Sequence, residues 1–341
     1  MTAPSIAAQL VDAVLSDFPD HKAGTRPVHS VGIGVLGHFE ASEVAPNFCT
    51  AGHFQGGKIP VNVRFSNGSG SPVEHDGWSD ARGMATRFNL PDGSATDLIA
   101  MTLGEFFTPT VESFLAFSKA AIPTPVARET PWRKFLDMLQ LRPPLPDPLP
   151  GMTTSSDAGS LAFANRHGFA QLAVFQSAAI GAPVSYVRAA YHAVHTFVIT
   201  APDGVRRHVR FAWEPFAGVR NTDPAAPPVD QYLHQELRQR LAGQPAQFRL
   251  IMTIGDTGDD FADPTRPWPN KRSRVYMGVL TLTQVAEDQA ADCERLGFNP
   301  CRLTPGIDVS EDPILRARKD AYEESQRRRG AAACLFAKGT G

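Results

Sequence analysis

Arg318 and Tyr322 stand four residues apart in RKDAY, near the end of a 341-residue chain. Positions i and i+4 share one face of a helix, so the guanidinium can approach the phenol oxygen. A cation there favours phenolate over phenol and draws the phenol pKa down from its usual ~10. A phenolate is a hard anionic ligand suited to ferric iron. The same spacing also fits an ordinary tyrosine on a solvated amphipathic helix, so the pair acquires meaning only alongside other groups.

Two further stretches supply candidates. In RPVHSVGIG, Arg26 and His29 lie in a segment held extended by Pro27. In VNVRFSNGSG, strand alternation puts Arg64 and Ser66 on one face. Two arginines can clamp paired carboxylates bidentately. Ser66 can accept a hydrogen bond from a histidine Nδ1–H, which leaves Nε2 free as a base. The competing reading is a structural histidine and a surface face of salt bridges.

The elements that must position these groups are legible in part. Ile6–Leu15 has helical spacing with Ser5 as N-cap. KIPVNVRFSN, GMATRFNL and DLIAMTL read as short strands, separated by turn chemistry in NGSGSP and PDGSATD. TVESFLAFSKAAI is a helix, and TPWRKFLDMLQL is another with Thr130 as N-cap and Pro131 at its first position. HTFVIT and VRRHVRFAWEP flank Pro202-Asp203-Gly204 as a hairpin, with Val209, Phe211 and Trp213 alternating against His208 and Arg210. VDQYLHQELRQRLAG is a helix stopped by Gly243, QFRLIMTIG and RVYMGVLTLTQV are long strands, and a final helix after Ser310 carries Tyr322. Strands joined by hairpins, with helices appended, predict an α+β antiparallel sheet or barrel. The proline-rich stretch 143–150 is an extended loop, not a domain boundary, and there is no internal repeat.

Composition excludes several classes. A hydrophobic fraction of 42% supports a sizeable core, and a net charge of −2 gives no electrostatic footprint for nucleic acid or an anionic membrane. The N-terminal stretch lacks the basic-then-apolar pattern of a signal peptide, and no run of about 20 apolar residues could span a bilayer. The four cysteines are scattered without a C-x-x-C pair, which fits free thiols in a reducing cytoplasm and no structural zinc.

The segments RPVHSVG, VNVRFSNGSG, DARGMATRFNLPDGSATDL, Phe106-Phe107, His195-Thr196-Phe197, Phe298-Asn299-Pro300, PGIDVSEDP and RKDAY occur in the order and spacing of haem catalases. The chain resembles a compact catalase-related haem peroxidase over roughly residues 22–330, preceded by an N-terminal helix or arm (1–21) and followed by a tail (331–341). The resemblance implies a catalase-like antiparallel β-barrel with appended helices, without the long arm and extra C-terminal domain of large catalases. It implies haem b, with Tyr322 as iron ligand and Arg318 as the partner of its phenolate. It makes His29 the distal acid–base, oriented by Ser66, with Val28 beside it. Arg26, Arg64 and Arg329 would pair with the haem propionates, Phe106 and Phe114 would pack on the distal side, and His195 with Asp312 would buttress the Tyr322 helix.

The chemistry so implied is self-consistent. A neutral histidine beside the iron can take a proton from one peroxide oxygen and return it to the leaving oxygen. An apolar wall keeps that base neutral, and arginines offset propionate charge away from water. One departure stands out: Met101 occupies the position where catalases place a distal asparagine, and a thioether donates no hydrogen bond. Reduction of organic or hydrogen peroxide with a small reducing co-substrate is therefore expected over efficient dismutation, with weak catalase activity remaining. The short arm implies a homodimer rather than an arm-exchanged tetramer. Two alternatives stay open: a non-catalytic barrel binding haem or another apolar ligand, and a hydroperoxide isomerase or lyase, which Val28 disfavours because that branch often carries threonine there.

Overall fold

The computed structural model describes residues 3–18, 21, 24–120, 159–223, 226 and 228–330, together with residues 132, 135, 136 and 139. The predicted N-cap at Thr130, Pro131, the proline-rich stretch 143–150, most of GMTTSSDAGS and the tail 331–341 lie outside the described residues.

Eight antiparallel strands close into a barrel: β1 (Gly32–Ala41), β2 (Lys58–Asn67), β3 (Arg82–Asn89), β4 (Ala95–Met101), β5 (Tyr191–Thr200), β6 (Arg206–Pro215), β7 (Ala246–Ile254) and β8 (Arg274–Val285). The order β4-β3-β2-β1-β8-β7-β6-β5 is closed by a β4–β5 pairing of Met101 with His192, and a short β9 (Ile307–Val309) adds to β5. Period-2 alternation decides what goes inside. On β2, Ile59, Val61, Val63 and Phe65 enter the core, and on β6 Val209, Phe211 and Trp213 do, as their spacing predicts. Arg64 and Ser66 therefore point out of the barrel, yet each is only 3% exposed. The candidate chemistry lies between the outer face of the barrel and whatever covers it.

Arg64 and Ser66 are covered by the segment through His29 and Ser30 and by the turn that carries Glu294; helices pack further out. Helix α1 (Ile6–Asp17), capped by Ser5 as predicted, packs on the C-terminal helix α7 (Pro313–Arg329) and on α3 (Val111–Ala120). Between them in sequence come α2 (Ala45–Phe48), α4 (Gly159–Arg166), α5 (Gly168–Ala179) and α6 (Tyr232–Gly243). Helix α4 begins at the end of GMTTSSDAGS and α5 follows it, in a stretch for which the sequence predicts no element, and β1 overlaps only the end of the extended segment RPVHSVGIG. Helix α6 begins later than its apolar pattern does, because Gln231 adopts φ 60. It ends with Gly243 still helical. Helix α7, which follows Ser310 as predicted, is capped by Asp312: Asp312 Oδ1 accepts from Ile314 N at 2.8 Å and Leu315 N at 3.2 Å, with Pro313 at the first helical position. Gly330, at φ 65, ends the helix in the left-handed conformation. Among the described residues no helix is long and apolar enough to cross a membrane. Cys49, Cys293 and Cys301 are free thiols.

Candidate active site

His29 sits just before β1, and its backbone takes φ 55. That left-handed conformation is uncommon outside glycine and costs free energy that the surroundings must offset. The surroundings are specific. The His29 N–H donates to the Gly68 carbonyl at 3.2 Å, and Nδ1 lies 2.7 Å from the Asn67 carbonyl oxygen and 3.1 Å from Ser66 Oγ. Nδ1–H thus donates chiefly to the Asn67 carbonyl, with the Ser66 hydroxyl as second partner. Sequence reasoning identified only the hydroxyl, because a backbone acceptor leaves no residue-type signal. Gly83, across from Ser66 on β3, leaves room for this pair: a Cβ there would sit 2.7 Å from Ser66 Oγ and 2.9 Å from His29 Nδ1. Burial above all, then Arg64 and Arg318, lower the imidazole pKa to about 4, against the opposing effect of the Asn67 hydrogen bond. At neutral pH the ring is uncharged, with the Nε2 lone pair free.

Arg318 lies close enough to act on His29 and also reaches Tyr322. One arm of its guanidinium donates to Tyr322 Oη at 3.0 Å, and the other to His195 Nε2 at 2.7 Å. His195 Nδ1 in turn donates to Asp312 Oδ2 at 2.6 Å. Asp312 therefore uses one oxygen to start α7 and the other to fix the tautomer of His195, which aims Arg318. Both His195 and Asp312 are buried, and burial keeps the imidazole pKa below its ordinary value. The proline after Asp312 was a readable N-cap signal.

Arg26, Arg64 and Arg329 come from three distant parts of the chain and meet at a π turn, Ala290–Glu294. Arg26 Nη2 donates to the carbonyls of Cys293 and Leu296, both at 3.1 Å. Arg329 Nη1 donates to the Glu294 carbonyl at 3.2 Å. Glu294 binds Arg64 Nε at 2.9 Å and lies 3.5 Å from Arg26 Nε. The Nε atoms of Arg26 and Arg329 are buried without a hydrogen-bond partner. Glu294 escaped the sequence reading, since nothing local marks a carboxylate 230 residues from the arginine it meets.

The Arg318 guanidinium lies 5.4 Å from the Phe106 ring, and the His195 ring lies 5.5 Å from it. Phe114 meets Phe106 edge-on at 5.3 Å, and Met101 packs on the same cluster with Val194 and Ile314. Val28 is 40% exposed and takes no part in this cluster.

The family model described as Catalase matches residues 7–173 and 148–334. The chain belongs to the catalase family. It is 33% identical over 310 residues to the catalase-related peroxidase of Mycolicibacterium paratuberculosis, covering 89% of this chain and 88% of the relative. The catalase-related peroxidase of Synechococcus elongatus is 28% identical, covering 94% and 88%. A solved bacterial catalase superposes with a TM-score of 0.74 at 21% identity, covering 90% of this chain and 58% of the catalase, and so shares the fold. A fungal catalase gives a TM-score of 0.73.

Proposed function

We propose that this catalase-family chain is a haem-dependent peroxidase that reduces organic or hydrogen peroxide with a small external reductant. The observation that carries this reading is the combination of a neutral His29, its Nδ1 engaged and its Nε2 free, with a guanidinium already donating to Tyr322 Oη. A protein that merely binds an apolar ligand needs neither. The names of two near-full-length relatives, both catalase-related peroxidases, support the same class.

The residues present fit haem. Tyr322 Oη would hold the iron, with Arg318 as the cationic donor that an ionised oxygen requires. Three guanidiniums carry one carboxylate among them and two buried, unsatisfied Nε–H groups, a donor set suited to two propionates. Scattered cysteines, none in a C-x-x-C-H attachment motif, favour non-covalent haem b. When bound, haem supplies the redox-active iron on which peroxide is reduced.

The protein's own share is proton traffic and exclusion of water. His29 Nε2 takes the proton from one peroxide oxygen and delivers it to the oxygen that leaves, returning to its neutral state. The Asn67 carbonyl and Ser66 hold the tautomer in which Nε2, not Nδ1, does this. Met101 lends the pocket no donor, which favours an apolar hydroperoxide over the second small peroxide that dismutation requires.

Tyr322→Phe tests the assignment. The parent, reconstituted with haemin, should show the spectrum of a ferric tyrosinate centre. The variant should lose that signature and most of its haem affinity. An unchanged spectrum would remove Tyr322 from the iron.

A further inference from the structure

Three arginines and one glutamate make an unbalanced cluster. Arg64 is 3% exposed by side chain and Arg26 12%, so neither cation can be left to water. Burial, with Arg64 and Arg329 nearby, lowers the Arg26 pKa to about 9. Burial and Arg64 lower Arg329 as well, while Glu294 opposes the shift in both. The Glu294 carboxyl is pushed up by burial, but Arg64 and Arg26 outweigh this and hold it below its usual range. Cys293, its neighbour, adds no charge, because burial raises that thiol to about 12. The cluster therefore carries three positive charges and one negative charge, an excess equal to that of two propionates.

From this geometry we propose that Glu294 is a positioning residue, a built-in carboxylate that keeps Arg26 and Arg64 assembled before haem arrives. One hydrogen bond and one ion pair place the two guanidiniums in advance, since Oε1 accepts from Arg64 Nε at 2.9 Å and Oε2 faces Arg26 Nε at 3.5 Å. Without haem, a buried Arg64 lacking this partner would be an uncompensated charge, which is strongly destabilising. With haem, the propionates compensate the same cations, and Glu294 becomes a like charge beside them. Glu294 thus stabilises the haem-free state more than the loaded one. It trades haem affinity for a preformed site. This inference rests on the haem reading above and concerns the arginine cluster alone.

The test uses the full chain and its Glu294→Gln variant, each with and without haemin. Haem-free E294Q should melt lower than the haem-free parent, on the order of 5 °C, whereas the loaded forms should differ less. Haemin should bind E294Q more tightly, by roughly tenfold, the scale of one charge-assisted hydrogen bond released to a propionate. Haemin dimethyl ester, whose propionates carry no charge, should show no such gain. If the haem-free protein fails to fold, E294Q should still fold with haemin. If it folds in neither state even with haemin, the propionates do not replace Glu294 and the proposal is overturned; Glu294→Asp, which keeps the charge, should fold and melt near the parent without haemin. Weaker haemin binding by E294Q, equal melting points of the haem-free forms, or failure of Glu294→Asp to fold would also overturn it. Absence of haemin binding by the parent would instead overturn the haem reading itself.

Discussion

On the proposed reading, Met101 stands where catalases carry a distal asparagine. It packs on the cluster of Phe106, Val194 and Ile314, and the Arg318 guanidinium that lies over the Phe106 ring also donates to Tyr322. It fills apolar space and offers no donor. Peroxidase turnover with an organic hydroperoxide and a dye reductant should therefore exceed oxygen release from hydrogen peroxide. Met101→Asn should shift the ratio towards oxygen release by several-fold, because one neutral hydrogen bond is worth about 0.5–1.5 kcal/mol. Paired steady-state assays check this, and an unchanged ratio would acquit Met101. At this scale the sequence was informative where function depends on side-chain type. His29 and Ser66 approach within 3.1 Å, as do Arg318 and Tyr322 within 3.0 Å, and the three arginines gather at one place. What stayed hidden was either main chain, such as the Asn67 carbonyl, or a partner made by distant chain closure, such as Glu294.

Helix α7 shows how an element can transmit its start to its middle. Asp312 caps the helix through Oδ1 and orients His195 through Oδ2, and His195 positions Arg318 against Tyr322. Asp312→Asn separates the two duties. Asparagine is an equally good N-cap, so the helix should start as before. Its amide nitrogen, however, would face the Nδ1–H of His195 donor to donor. The imidazole would change tautomer, and its new Nε2–H would then oppose the Arg318 N–H. The expected result is a melting temperature near the parent's but an altered visible spectrum of the haemin-loaded protein. Asp312→Ala, which removes both duties, should also lose about 0.5–2 kcal/mol of stability from the missing cap. If Asp312→Asn leaves the spectrum untouched, the chain from Asp312 to Tyr322 carries no influence. Elements with strong periodicity, such as β2 (Lys58–Asn67) and β8 (Arg274–Val285), have the bounds the sequence predicts. Helices α4 and α5 did not announce themselves: an Ala-rich, weakly amphipathic stretch following glycine, serine and threonine carries little helical signal.

Barrel closure belongs to the whole molecule, because it joins β1 to β8 and β4 to β5 over separations no local pattern encodes. Hairpins and alternation could give the antiparallel class, but not the order of strands around the ring. Closure also buries histidines, and this fixes a pH dependence. His29 is lowered to about 4 by burial first, and His53, packed against Phe54 and Phe88 with Nδ1 unpartnered, to about 3. Burial lowers His21, His192, His195 and His234 too. Each native pKa lies below the unfolded value of about 6.5. Between the two, the unfolded chain binds a proton that the folded chain refuses, so stability is fully present above about pH 6.5 and lost as pH falls. Glu74 and Asp97, both raised by burial, work the other way, two groups against six. Melting temperature should therefore fall from pH 7.5 to pH 5. A group as buried as His53 contributes at most about 1.4 kcal/mol per pH unit. His53→Phe keeps an aromatic ring among Phe54 and Phe88 and removes the titrating nitrogen, so its melting temperature should depend less steeply on pH than the parent's. A parent as stable at pH 5 as at pH 7.5, or a variant with the same slope, would show that the buried histidines do not govern acid stability.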